Sequence, residues 1–255
     1  CKAISLEEAA EFISKAEEII NDGLKVVRVR DGLWIVSSYV QQLLGDEPAR
    51  LKALEKAVEE NPSGIISRYL LGRVYRKSGE YDKAIKILYP IINNHHDEFR
   101  PFVEYALALL YKEKGTTAGY KNGLAILQIS TLYGLSDPRY IATLGGMYVM
   151  DGQQTKAIEI FEQAHRHNLS PQELNEIQFY PPDPTNVAQK LRFRGKVVVV
   201  KPYYSLVEST NLPRFLCPHS KIGKLVMKEG MEVTYELGFA ARGAVVNNPQ
   251  EALES

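Results

Sequence analysis

Residues 69–88 read YLLGRVYRKSGEYDKAIKIL (Tyr69–Leu88), and the order of residue types in this stretch decides the fold of the larger part of the chain. Leu71 and Gly72 fall together and Tyr75 follows one helical turn later, so a first helix carries an apolar face with a small residue in it. Gly79 supplies the left-handed backbone that ends such a helix. Ala84 and Leu88 share one face of a second helix, and the small Ala84 lets the two helices approach closely. The stretch therefore predicts two antiparallel helices joined by a turn at Gly79. A hairpin of this kind is apolar on both sides and is stable only when a neighbour covers it.

Working outward, the same signals return as Leu107, Ala108, Tyr111, Gly115, Gly123 and Leu127, and again as Leu144, Gly145, Tyr148, Gly152, Ala157 and Phe161. The turn glycines are 36 and 37 residues apart, close to the period of about 34 of one helical repeat class. One period back from Gly79 stands Gly45, with Trp34, Leu54, Ala57 and Pro62 around it. These residues resemble the tetratricopeptide repeat family over residues 31–171, in units 31–64, 65–98, 99–137 and 138–171 of a helical region 31–177. Ser37 and Ser38 stand where the first unit would have the family's Leu and Gly. The resemblance implies a right-handed all-α superhelix with a concave groove that holds a peptide or helix of a protein partner. Arg68, Arg73, Glu104 and Arg139, on first helices but off the packing register, are the candidates to line it. Tyr75, Tyr111, Tyr148 and Phe161 fall at packing positions and are read as core.

Ahead of the repeats, residues 1–30 predict a helix from Leu6 to Val29, opened by a capping box of Ser5 and Glu8. Its continuation KVVRVRDGLWIV (residues 25–36) looks strand-like and is read as a remnant of an upstream domain. The chain starts at Cys1 without Met, which reads as a piece of a longer protein, with a lipidated N-terminal cysteine as the other reading.

Behind the repeats the helical pattern stops at FYPPDPTN (residues 179–186). Pro181, Pro182 and Pro184 cannot continue a helix, so residues 178–191 are read as a stiff, extended linker and a domain boundary. KVVVV, LVES, RFLC and EVTYEL then follow as short β-rich runs separated by Pro, Gly and Asn, which reads as a small barrel of five strands. Residues 192–249 resemble the cold-shock domain, an OB-fold barrel, with 250–255 as a tail. The match is closest from Lys228 to Val233, through Tyr235-Glu236-Leu237, to Ala241-Arg242-Gly243 and Ala244–Asn247. Lys201–Val207 stands where the family's first RNA-binding motif belongs and Phe215-Leu216 where the second begins. The resemblance implies single-stranded RNA or DNA as a ligand, with Tyr203, Tyr204, Phe215 and His219 as stacking platforms and Lys201, Arg214 and Lys221 as phosphate contacts. Pro202 and Leu206 depart from the family's Gly and second aromatic, and the VVVV run replaces its first-strand Trp. Such losses matter because each stacked base contributes about 1–3 kcal/mol. The other use of such a barrel is to pack on the repeats or bind protein.

Charge agrees with this division. The chain holds 31 basic and 31 acidic residues, yet Lys190–Pro249 holds ten basic against four acidic, a basic module on a mildly acidic body. Two cysteines, Cys1 and Cys217, are too few for a disulfide framework and fit a reducing cytoplasm. No apolar run reaches the roughly 18 residues of a membrane span. No phosphate loop, dinucleotide fingerprint, zinc-protease helix or nucleophile elbow is present. His95-His96-Asp97 lacks a spaced partner ligand and reads as a solvated turn, as does Cys217-Pro218-His219 for a metal.

The expected fold class is thus α+β multidomain, a tetratricopeptide superhelix followed by a cold-shock-like barrel. The expected function is a non-catalytic module with a protein partner at the repeats and nucleic acid at the barrel, without cofactor or metal. The alternative is the sensor or regulatory end of a longer enzyme, an NTPase or nuclease whose catalytic domain lies upstream.

Overall fold

A computed structural model of the chain describes residues 6–26, 30–95, 97–209, 212–223 and 225–252. It divides into two compact units, Cys1–Asn93 and Asn94–Ser255. The first holds α1 (Leu6–Val26), α2 (Asp31–Leu44), α3 (Glu47–Glu60), α4 (Ile65–Lys77) and α5 (Tyr81–Asn94). The second holds α6 (Phe99–Lys112), α7 (Thr117–Ile129), the single turn α8 (Thr131–Gly134), α9 (Pro138–Met150), α10 (Gln154–Gln163) and α11 (Pro171–Asn175). Five strands follow in the same unit: β1 (Arg192–Val200), β2 (Tyr204–Ser209), β3 (Leu212–Pro218), β4 (Glu232–Ala240) and β5 (Gly243–Glu251).

The helix hairpins are α2/α3, α4/α5, α6/α7 and α9/α10. Each turns at a glycine with positive φ: Gly45 at 75°, Gly79 at 80°, Gly115 at 66° and Gly152 at 78°. Only glycine adopts this region without cost, so the four recurring glycines mark four turns. Gly72 shows the close approach inside a hairpin, since a Cβ there would sit 2.5 Å from Leu88. Asp46, Thr116 and Asp137 cap the helices that follow them through the amides of Ala49, Gly119 and Tyr140.

The strand-like run around residues 30–36 is helical. Asp31–Leu44 forms α2, because an amphipathic helix that buries Ser38 and Val40 overrides the local β preference of its Val and Ile residues. The expected cap at Ser5 lies outside the described residues.

The five strands close into a barrel in the order β1-β2-β3-β5-β4, with β4 returning to β1. All pairs are antiparallel except β3 with β5, which meet in parallel at Leu216 and Val245. Val197, Val207, Phe215, Val233, Tyr235 and Leu237 fill the interior. The last strand runs further than expected: Gln250 and Glu251 pair with Thr234 and Val233, so the supposed tail begins inside β5.

Residues 178–182 are extended, but the expected stiff linker does not continue to residue 191: residues 183–189 turn back and set Pro182 antiparallel to Lys190. Phe179 exchanges backbone hydrogen bonds with Phe239 of β4 at 3.2 and 2.8 Å, and the two rings stack 5.7 Å apart. Pro181 and Pro182 are buried, and Pro182 lies against the turn at Gly115. Proline suits such a buried strand because it brings no N–H that needs a partner. The turn between β4 and β5 reaches the last helix pair, where Ala241 is buried with Ile141 and Ala164. Open ends of a repeat stack need a cover, and the barrel with its leading segment covers this end.

Lys190 fastens the same segment. Its ammonium sits 3.8 Å from the Tyr180 ring centroid and 3.1 Å from the Glu236 carboxylate, which also accepts from Asn247 and Asn248. Burial works against ionisation of Glu236, but hydrogen bonds from Asn248, Lys190 and Asn247 outweigh it and hold the carboxyl below its usual range. A depressed carboxylate contributes stability that is present above its unfolded value and is lost as pH falls through the folded one. Wild type is therefore expected to melt above Glu236→Gln at neutral pH, and the two curves should converge in acid. Equal differences at both pH values would remove the carboxylate from this role.

Candidate functional site

The barrel presents its outer surface over β1, β2 and β3. Burial alternates along these strands, as the pleat requires. Ser205, Val207, Phe215 and Cys217 point inward, while Tyr204, Glu208 and Arg214 are exposed and Leu206 and Leu216 are half-buried. Directly paired residues share a face. Leu206 pairs with Val199 and with Leu216, which lays an aliphatic row across three strands. Around it stand Arg194 and Lys196 of β1, both exposed, and Arg214, whose guanidinium is 3.2 Å from Glu208. That pair is open to solvent and contributes little.

The residues expected to stack separate into two groups. Phe215 is a correction: it is buried opposite Val207 inside the barrel and offers no face to a ligand, because its place in the pleat points inward. Tyr203 and Tyr204 are available, Tyr203 with 85% of its surface exposed. Lys201 and Lys221 are exposed nearby in sequence, on the β1–β2 turn and on the short turn after β3.

That turn is held firmly. Lys201 N–H donates to Tyr204 O at 2.8 Å and His219 N–H to Tyr203 O at 2.9 Å. The His219 ring adds two more bonds. Nδ1 lies 3.1 Å from Pro202 O, a pure acceptor, so Nδ1 carries the proton. Nε2 then accepts from the Ser205 hydroxyl at 3.0 Å. With both nitrogens engaged in the ring plane, the half-buried His219 ring is fixed in place and ties the turn together. Cys217 is buried and its thiol is pushed up to about 12 by desolvation, so it is not a nucleophile.

Arg194 and Lys196, which no expected motif includes, are exposed on β1, with Arg194 3.5 Å from Glu232. The signal was present, since Arg192, Arg194 and Lys196 alternate along β1 and so share a face. Arg192 is instead engaged with Thr234 O and Asn248 O, at 3.0 and 3.1 Å.

The expected groove residues fall in both units. Arg68 donates to Pro62 O and Ile87 O, which ties the start of α4 to α5. Arg73 is half-buried on α4. Glu104 is a correction: it is fully buried on α6, with the Arg139 guanidinium of α9 at 2.6 Å. Neighbouring first helices pack there, so this pair belongs to the core of the second unit rather than to an open wall. Among the described residues no group of three or more His, Cys, Asp or Glu side chains could hold a metal ion, and no helix is long and apolar enough to cross a membrane.

A family model described as tetratricopeptide repeat matches residues 66–89. No curated protein matches the chain. Solved structures do. A double mutant of MamA from strain RS-1 is 18% identical over 60% of this chain and 84% of that chain, with a TM-score of 0.50. A thermophilic TPR protein of Thermus thermophilus is 17% identical over 54% and 74%, with a TM-score of 0.48. YrrB, described as a TPR protein with an unusual peptide-binding site, is 14% identical over 63% and 80%, with a TM-score of 0.47.

Proposed function

Starting from a tetratricopeptide-repeat scaffold that carries a closed five-stranded barrel, we propose that the chain is a non-catalytic binding module whose repeats take a protein partner and whose barrel takes single-stranded RNA or DNA. The strand order of the barrel supports the OB class, in which the face of strands 2 and 3 and the loops after strands 1 and 4 meet oligonucleotides. Here the loop after β4 packs on the helices through Ala241. The ligand surface is accordingly the β1–β2 turn and the outer face of β1–β3.

One observation carries this reading. Tyr203 is almost fully exposed on a turn pinned by two backbone and two His219 ring hydrogen bonds. An exposed aromatic ring on a rigid support gives a base a stacking surface at little ordering cost. Lys201 of the same turn and Lys221 of the turn after β3 are exposed beside it, while Lys196 and Arg194, the latter 3.5 Å from Glu232, lie further along β1.

Fluorescence anisotropy with a short labelled single-stranded RNA tests it. Four phosphate contacts at roughly −0.7 each give a slope of about −3 in log affinity against log salt. Tyr203→Ala is expected to weaken binding by about 5- to 150-fold, the equivalent of ~1–3 kcal/mol of stacking. Binding without salt dependence, or unchanged by Tyr203→Ala, sinks the nucleic-acid reading. In that case the aliphatic row of Val199, Leu206 and Leu216 favours a protein ligand on the same face.

A further inference from the structure

Among the described residues, the first unit carries an exposed apolar face at its N-terminal hairpin. Glu17 accepts from Gln41 at 2.9 Å and Gly23 meets Leu33, which sets α1 and α2 antiparallel. On α1, Phe12 and Ile19 are each 65% exposed and Val26 is 82% exposed. On α2, Val36, Tyr39 and Leu43 are exposed as well. At about 100° per residue, each row lies roughly a third of a turn from the seam between the helices. Both rows are offset in the same rotational sense, and for antiparallel helices that places them on one side of the hairpin, with Ile19 level with Tyr39.

Six such side chains expose on the order of 700 Å², above the ~300–600 Å² patch of an ordinary monomer and near the ~800 Å² that each partner buries in a stable complex. The α1 row has a spacing of seven, the period of a helix-to-helix seam. Its charges are self-complementary. With a two-fold axis through Ile19, Phe12 meets Val26 of the other copy, and Lys15 comes within one residue's rise of the other copy's Asp22. Both residues are exposed, and the 2.8 Å pair of Asp22 with Lys25 is solvent-facing and easily exchanged. An isologous contact of this kind closes on itself.

We propose that this face is a homodimer interface, in which α1 of one chain packs antiparallel on α1 of a second copy and the α2 rows complete the buried patch. The full chain is expected to pass from 28.7 kDa to twice that mass in sedimentation velocity as concentration rises through the micromolar range typical of weaker interfaces. Ile19→Arg sets two like charges on the axis and should raise the dimer Kd at least about tenfold, with circular dichroism unchanged, and melting unchanged at concentrations where both proteins are monomers, because the position is exposed. In a Cys1→Ser background, Ile19→Cys should oxidise to a symmetric cross-linked dimer. Val26→Cys should cross-link with Phe12→Cys but not with itself. A monomer at every concentration overturns the proposal, as does a dimer that survives Ile19→Arg or fails to cross-link at residue 19. Either result would leave the face to another kind of partner.

Discussion

Phe239→Ala is expected to destabilise the second unit by about 3–5 kcal/mol and to loosen the last helix pair together with the barrel. Phe239 is fully buried. Its ring lies on Phe179 and its backbone pairs with that residue, and both rings press on Gly146 of α9. Removing the ring opens a cavity where barrel, connecting segment and helix meet, so no single element can close it. The companion change is Gly146→Val. A Cβ at that position would lie 2.6 Å from Phe179 and 2.7 Å from Phe239, and forcing extra atoms into such a contact costs about 1–3 kcal/mol. Urea unfolding by far-UV circular dichroism measures both losses. Amide exchange in α9 and β4 decides whether the parts are coupled. If Phe239→Ala frees the β4 amides while those of α9 stay fully protected, the barrel is not the cover of the repeat stack.

Glu104→Ala should cost about 3 kcal/mol or more. It removes the carboxylate 2.6 Å from the Arg139 guanidinium and leaves that group, only 22% exposed, without it. Breaking a buried pair from one side typically costs about 3–5 kcal/mol, because the surviving charge stays desolvated. Arg139→Met should cost a similar amount for the converse reason. Replacing both, with Glu104→Leu beside Arg139→Met, is expected to be close to neutral, since two desolvation costs vanish with the attraction. A double-mutant cycle on unfolding free energies reads the coupling directly. Simple additivity of the two single losses would show that the pair does not act as a unit. The same experiment separates a packing role from a groove role, because residues lining an open groove would change partner affinity and leave stability nearly unaltered.

Much of the helical part was legible in the chain. Gly79, Gly115 and Gly152 recur at nearly one interval, and each takes the positive φ that other residues avoid. The small and large residues around them, such as Gly72 against Leu88, report helix contacts within one hairpin. These are short-range demands, and they leave a local signature. The strands of the barrel were legible for the same reason, through alternation and turn residues. Lys201 and Tyr203, expected as ligand contacts, stand exposed on the β1–β2 turn and Tyr204 at the start of β2, although no motif announced that His219 would hold the turn.

The misreadings share a cause. Phe215 reads as a stacking platform only through the motif it opens; alternation along a strand gives two faces without saying which is inside, and the closure of the barrel decides that. Glu104 reads as a groove residue because it stands off the packing register of its helix. Its partner Arg139 stands on a different helix, and nothing local links the two. Residues 178–191 looked like a tether because proline marks extended chain but does not reveal what lies beside it.

What the amino-acid sequence determined by itself was the inventory and its order: four helix hairpins turned by glycine, a proline-rich break, five strands, and a basic balance confined to the last quarter. Each follows from backbone conformation, helical or strand periodicity, or charge, which act over a few residues. Only the tertiary structure decided that the barrel and its leading strand cover the end of the repeats, that Glu104 and Arg139 are core, and that Tyr203 stands out on a pinned turn. Those outcomes depend on which surfaces meet, and burial of a side chain is settled by residues far along the chain, where no local pattern records it.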